Sequence, residues 1–352
     1  MALLRFPGKV RFSQMKELMR INCSPQHTSP SALKCTVAKD RKSIEGALEK
    51  IINRFSGRIG PMALHLIHAG GKRLRPLLSC TILRAMGEDP MPHMELVACS
   101  EIIHTASLLH DDVVDNAETR RGRVALHVQF DSRTAVMAGD VLMATALEVL
   151  SDAHTPALLH LAARTICDMA QGQIMEAHYA RSTTAPLRRL LTINRLKTAA
   201  LFAYAAESAA ILADTSKAIR RGAALSGERM GEAFQLVDDL LDWTGLEDNT
   251  GKAPGTDLKE GKLTMPLLLA LRADPSLEEQ VHAYWAQRHY GKREVLKQWI
   301  VRRVVLSGAL DDTRRRAQGL AASAAAALDC FPPSSWRDEL RRLAFCSVQR
   351  IA

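Results

Sequence analysis

The stretch Leu108-Leu-His-Asp-Asp-Val-Val-Asp115 sets two carboxylates, Asp111 and Asp115, at positions i and i+4. On a helix both project from one face about one turn apart, with Asp112 roughly 100° round. Two carboxylates this close repel each other, and apolar flanks raise the cost of burying them. A cation or water between them relieves both penalties. Hard oxygen ligands in ones and twos, with positions open for phosphate oxygens, suit Mg²⁺. One copy reads equally as a solvated acidic helix end. The pattern recurs in Phe234-Gln-Leu-Val-Asp-Asp-Leu-Leu-Asp242, which spaces Asp238 and Asp242 in the same way around Asp239. Both copies lie near an expected helix C-terminus, where the helix dipole disfavours negative charge. Two such helices facing one another make a polyanionic pocket for several Mg²⁺ ions and a diphosphate.

A second phosphorylated substrate needs bases. Gly70-Gly-Lys-Arg-Leu-Arg75-Pro76 offers Lys72 and Arg75, a glycine pair that lets backbone approach an anion, and a proline able to start a helix. Arg120 and Arg121 follow the first acidic cluster, with Gly122 behind them. Lys252, Lys259 and Lys262 follow the second, in a glycine-rich segment able to close as a lid. Any one of these reads as a solvated basic loop. Their placement beside acidic motifs favours a joint role.

The elements that must position these groups are helices. Leu77–Met86, Glu95–Asp115, Ser132–Ser151, Thr155–Ala180, Asn194–Asp214, Thr215–Thr244, Met265–Arg272 and most of 278–328 carry helical patterning. Breakers stand at 87–92, Thr155-Pro156, 245–261 and Pro332-Pro333. No stretch alternates with period two, and aromatics are only 5% of the 352 residues, which argues against an all-β fold. The expectation is one all-α domain over 41–352, a helical bundle around a central active-site cavity, behind a basic leader at 1–40. Residues 23–36 read as a Ser/Thr/Pro-rich linker.

The net charge of +9 is concentrated at one end. Residues 1–60 hold 12 Lys/Arg against 4 Asp/Glu, leaving 35 against 34 for the rest. A nucleic-acid footprint would need that charge in the folded body, so no nucleic-acid partner is expected. Residues 1–39 carry seven Lys/Arg and the single acid Glu17, the composition of an organelle transit peptide. The other reading is a basic tail that stays on the mature protein. Seven scattered cysteines without a CxxC argue for a reducing compartment. No run of 18 apolar residues is present, so no transmembrane segment is expected; contact at the membrane periphery remains compatible.

GGKRLRP, HTASLLHDDVVDNAETRRG, AGDVLMA, Lys197-Thr198, FQLVDDLLDW and GKAPGTDLKEGKLTMP stand in this order over residues 70–266. The sequence resembles the trans-polyprenyl diphosphate synthases. That resemblance implies an isoprenoid synthase-type fold, a homodimer (or a heteromer), and head-to-tail condensation of isopentenyl diphosphate onto an allylic diphosphate. It implies about three Mg²⁺ ions: two on Asp111 and Asp115 and one on Asp238, with Asp112, Asp239 and Asp242 supporting. Lys72, Arg75, His104 and Arg121 match contacts to isopentenyl diphosphate. Arg120, Lys197, Lys252 and Lys262 match contacts to the allylic diphosphate, and Thr198 and Gln235 match polar groups along the path of the allylic cation.

Ala106 and Ser107 lie about 6–7.5 Å below Asp111 along the helix at ~1.5 Å per residue. An aromatic side chain there would stop a growing prenyl chain. Both are small, so the expected product has thirty carbons or more, of the kind that serves as a ubiquinone side chain in mitochondria. Ile103, Met143 and Leu147 are candidates for the tunnel floor. A shorter product of fifteen or twenty carbons, or a non-catalytic subunit of a heteromer, is the alternative. Two departures from the family pattern stand out: Val124 where proline is usual, and Gln173 with Glu176, where the usual order of Glu and Gln is exchanged. A phosphohydrolase reading of His110-Asp111 leaves the basic motif and the second acidic motif unexplained. A terpene cyclase would lack the first of these and carry a different second.

Overall fold

The computed structural model describes residues 30–54, 70–120, 122–244 and 255–346, with 60, 62, 67 and 348. The leader at 1–29 lies outside the described residues, as do Arg121 and Lys252. The chain is built almost wholly of helices: α1 (Pro30–Ile52), α2 (Leu74–Ala85), α3 (Met94–Val114), α4 (Ser132–Asp152), α5 (Pro156–His178), α6 (Leu187–Asn194), α7 (Ala200–Leu212) and α8 (Lys217–Thr244). After the short helix Thr256–Glu260 come α9 (Met265–Ala273), α10 (Ser276–Ala286), α11 (Tyr290–Leu306), α12 (Ala309–Ala326) and α13 (Ser335–Cys346). Helix α1 starts at Pro30, inside the stretch read as a linker: proline suits the first helical turn, and Ser-Ala-Leu-Lys follows it.

Local signals set the other boundaries. The Asp131 side chain accepts a hydrogen bond from Thr134 N at 2.7 Å and caps α4. Pro156 opens α5. Gly87, at φ 88°, takes the left-handed turn beyond α2 that a side chain would strain. The one sheet among the described residues is an antiparallel pair, Thr119–Arg120 with Arg123–Val124, turning through Gly122 at φ 74°. It aims Arg120 back toward α3.

Helix α8 is the central post, packed against α7 and α12, while α3 lies along α4 and α2 against α7. One apolar core joins α1 to α5 with α7, including Ile44, Leu83, Ile102, Leu142 and Phe202. A second gathers Trp243, Leu258, Leu267, Tyr284 and Ile300 behind the second acidic motif. By length and composition alone α4 is apolar enough to cross a membrane. Its Ala135, Leu142, Ala146 and Val149 instead face the core, and Asp140 and Glu148 stand on its outer side.

Arg73 fastens the basic motif to this frame. It is 2% exposed. It donates to both oxygens of Glu45 on α1 at 2.8 and 3.0 Å, to Glu101 on α3 at 2.7 Å and to the carbonyl of Ile67 at 2.7 Å. A buried charge survives only when paired this fully. The residues on either side of it, Lys72 and Leu74-Arg75, are thereby held at the start of α2.

Candidate active site

Both acidic motifs end their helices. Asp115 closes α3, its N–H donating to the carbonyl of Asp111 at 2.8 Å. Asp111 is half-buried. Burial raises its pKa, the nearby Lys197 opposes that, and repulsion from Asp115 adds to it. Asp112 is buried against the other side of the turn, where Arg120 Nε donates to Oδ1 at 2.7 Å. Its Oδ2 is buried without a hydrogen-bond partner.

On α8, Asp238 is exposed and Asp239 is buried. A relay leads to the latter. Thr198 Oγ1 donates to Gln235 Oε1 at 2.7 Å, and Gln235 Nε2 donates to Asp239 Oδ1 at 3.0 Å. The N–H of Met265 reaches Asp239 Oδ2 at 3.2 Å. Asp242 accepts from the N–H groups of Thr256 and Asp257 at 3.0 and 3.1 Å. It therefore caps the short helix Thr256–Glu260 from a distance, a task the sequence alone did not suggest for it.

Two lysines approach the first motif. Lys262, in the segment after the second motif, donates from Nζ to Asp115 of the first at 2.8 Å and to Glu260 at 2.8 Å. Burial works against its charge, but Glu176, Asp115 and Glu260 outweigh it and raise its pKa. Lys197 pairs with Glu176 and stands within electrostatic reach of Asp111.

Lys197 and Thr198 sit in a widened helical turn, Arg195–Ala199, with π-type hydrogen bonding. Such turns are rare and cluster at functional sites. Close packing on both sides accompanies this one. A Cβ on Gly172 would come 2.6 Å from Lys197 N, and one on Gly231 would come 2.5 Å from Ala199 Cα. We expect Gly172→Ala to push Lys197 off its position and lower kcat/KM at least about tenfold, since small displacements of positioning groups cost that much. Steady-state kinetics beside a thermal melt check this: a lower Tm with unchanged kcat/KM goes against it.

The second acidic motif and the basic groups line a cavity of 460 Å³, whose described lining residues do not include Asp111, Asp112 or Asp115. Arg120, Lys197, Thr198, Gln235, Asp238, Asp239, Asp242 and Lys262 all reach it, with Glu176, Tyr179 and Asp257 beside them and Leu190, Ile193, Leu241 and Leu263 as its apolar wall. Three residues expected to meet the second diphosphate lie elsewhere. Lys72 is exposed, Arg75 is half-buried with its guanidinium 4.6 Å from the centre of the Phe202 ring, and His104 is half-buried on α3. Neither Ala106 nor Ser107 lines this cavity: Ala106 is wholly buried in the core, and Ser107 is half-buried. Among the described residues no three His, Cys, Asp or Glu side chains converge as a ready metal cluster. The donor chemistry nonetheless fits Mg²⁺, which binds through one or two carboxylates and fills its other positions with water and phosphate. The crowded Asp111 and Asp115 carboxylates hold an excess of negative charge that such a cation would relieve.

The polyprenyl synthetase family model matches residues 58–302. The chain belongs to the polyprenyl synthetase family. It is a prenyltransferase of the trans-polyprenyl diphosphate synthase kind. It is 32% identical over 313 residues to octaprenyl diphosphate synthase of Escherichia coli K12, covering 89% of this chain and 96% of that one. It is 35% identical over 321 residues to the geranyl-diphosphate-specific all-trans-nonaprenyl-diphosphate synthase of Rhodobacter capsulatus, covering 90% and 96%. The crystal structure of a polyprenyl synthase from Caulobacter crescentus CB15, complexed with calcium and isoprenyl diphosphate, superposes with a TM-score of 0.83 at 36% identity over 94% of this chain and 100% of that one. The all-α isoprenoid synthase fold expected from the motifs is therefore the fold of this polyprenyl synthetase.

Within this synthetase, the sequence reading passed over Asp257 and did not foresee the settings of Glu176 and Asp239. Glu176 entered only as a departure from the family pattern, yet it pairs with Lys197 in the cavity wall. Asp257 is half-buried beside Asp242 and Asp239; desolvation first, then those two charges, lift its pKa well above the carboxylate range. Asp239 was expected as one support among several. Burial raises it to about 7, against the hydrogen bonds from Gln235 and Met265. An acid with a higher pKa folded than unfolded binds more protons in the folded state. Its contribution to stability is therefore full below the ordinary value of 3.8 and falls as pH rises toward about 7. Asp239→Asn cannot ionise. Melts of the metal-free chain at pH 5 and pH 8 should show its Tm falling less than wild type, by about several degrees. Equal slopes would remove Asp239 as the cause.

Proposed function

We propose that this synthase condenses isopentenyl diphosphate head-to-tail onto an allylic diphosphate, with Mg²⁺, and repeats the step to thirty carbons or more. The observation that carries the reading is the approach of groups far apart in sequence: Lys262 bonds Asp115, Lys197 stands near Asp111, and both lysines line the cavity. Acids and bases placed this way accept a metal–diphosphate group by exchanging partners, with little movement of the backbone.

When bound by Asp111, Asp115 and Asp238, Mg²⁺ supplies Lewis acidity and charge to the departing diphosphate. Arg120, Lys197 and Lys262 orient that diphosphate and offset its developing negative charge. The allylic C–O bond breaks, and its electron pair leaves with the diphosphate oxygen. The Thr198 hydroxyl, held by Gln235, faces the resulting cation as a weak nucleophile that stabilises it without trapping it. Lys72, Arg75 and Arg121 hold the second diphosphate, and His104 assists. The isopentenyl double bond then attacks the cation, and loss of a proton restores an alkene.

Small side chains at Ala106 and Ser107 support a long product, and the Escherichia coli and Rhodobacter relatives are named for eight- and nine-unit chains. The Caulobacter relative is complexed with calcium and an isoprenyl diphosphate, which supports a divalent ion at this site. A long product and an acid-poor leader together fit a ubiquinone side chain made in the mitochondrion by a homodimer. The test is incorporation of labelled isopentenyl diphosphate into geranyl, farnesyl or geranylgeranyl diphosphate, with and without Mg²⁺, followed by sizing of the dephosphorylated products. Mg²⁺-dependent chains of thirty carbons or more support the reading. Chains ending at fifteen or twenty overturn the length, and no incorporation by folded protein overturns lone activity.

A further inference from the structure

Helix α11 (Tyr290–Leu306) is apolar on both faces. Its inner face, with Ile300 and Val304, is buried in the core. Its outer face carries Val295 at 69%, Trp299 at 39% and Leu306 at 70% exposure. At about 100° per residue these three fall within a ~40° arc, and Lys292 and Arg302 flank it about 20° to either side. A surface helix ordinarily turns polar residues to water. Of the fourteen exposed large apolar side chains among the described residues, three form this stripe, and Tyr290 and Val305 of the same helix lie off it. The helix holds five Lys/Arg and one acid, Glu294.

We propose that α11 docks on an anionic lipid surface, with Val295, Trp299 and Leu306 entering the headgroup boundary and Lys292 and Arg302 meeting lipid phosphates. A tryptophan and aliphatic stripe bordered by basic residues is the pattern of helices that lie in the membrane interface. Charge decides against a second copy of the chain as occupant. Two such helices facing each other would set like charge against like. Three side chains also fall well short of the roughly 800 Å² per partner that a stable dimer buries. The inner side of α11 abuts the segment that bears Lys262: a Cβ on Gly255 would lie 3.1 Å from Lys297 Cε, and Arg293 donates to the carbonyl of Lys259 at 3.4 Å. Docking would thus hold the cavity one helix away from lipid.

The test is flotation of the full chain with vesicles of phosphatidylcholine alone or with about one-third phosphatidylglycerol. The expected result is flotation with the anionic vesicles only, weakened by salt as surface charge is screened. Trp299→Ser with Leu306→Asp should cut the bound fraction at least about tenfold. Lys292→Glu with Arg302→Glu, at exposed positions that do not touch the core, should do the same. Flotation with neither vesicle, equal flotation with both, or binding unchanged in both variants overturns the proposal. So does a dimer that the first variant dissociates while vesicle binding persists.

Discussion

Asp111→Ala is expected to lower kcat/KM for condensation by about a thousandfold or more, the equivalent of ~4 kcal/mol of transition-state stabilisation. The loss should come without unfolding. Asp111 is half-buried at the end of α3, and burial raises its pKa, with Lys197 opposing the rise and repulsion from Asp115 adding to it. Removing it relieves a like-charge contact at a helix C-terminus, where negative charge is already disfavoured. The metal-free Tm should therefore hold or rise. Asp238→Ala should behave alike, because Asp238 is exposed to the cavity. Asp242→Ala should differ. Its carboxylate accepts the N–H groups of Thr256 and Asp257, so that change should cost roughly 1–3 kcal/mol of stability through two orphaned donors, and so lower Tm as well as activity. Kinetics and melts on the three variants together check the division. A loss under tenfold in Asp111→Ala would remove it from the metal-binding set, and an unchanged Tm in Asp242→Ala would remove the capping role.

The parts of this site legible in sequence are those fixed by local spacing. An i, i+4 pair of aspartates in an apolar helix announces its geometry, and α3 and α8 end where the motifs predict. What tertiary contact imposes was hidden. Asn194–Asp214 reads as one helix, whereas the chain widens at Arg195–Ala199 between Gly172 and Gly231 of neighbouring helices. No residue inside the segment signals that turn. Arg73 sits in the basic motif between Lys72 and Arg75, and nothing in the local spacing marks it as the one that pairs with Glu45 of α1 and Glu101 of α3. The two-residue strands at Thr119 and Arg123 are too short for any period, and only Gly122 marks their turn. Glu176 was visible as an irregularity; its meaning needed Lys197 beside it.

Ser107→Phe is expected to shorten the proposed product of thirty carbons or more to one of fifteen or twenty, with the first condensation kept within about threefold. Ser107 lies four residues before Asp111, about 6 Å down the helix at ~1.5 Å per residue. A chain growing away from the metal site meets that level after few additions. The choice between Ser107 and Ala106 rests on burial. Ala106 is 0% exposed within the main core, so a phenylalanine there overpacks it, costing about 1–3 kcal/mol and confusing a length effect with instability. Ser107 is half-buried, and its hydroxyl donates only to the carbonyl of His104 at 2.9 Å, a bond worth ~1 kcal/mol. A ring at 107 therefore acts by occupying space while Asp111, Asp115 and Lys262 keep their contacts. Sizing of dephosphorylated products from farnesyl diphosphate, beside initial rates of isopentenyl incorporation, reads length and chemistry separately. Shortened chains at a preserved initial rate place the path of growth past Ser107. Unchanged chains would put that path along another face of α3, and the small residues at 106 and 107 would then be there for packing alone.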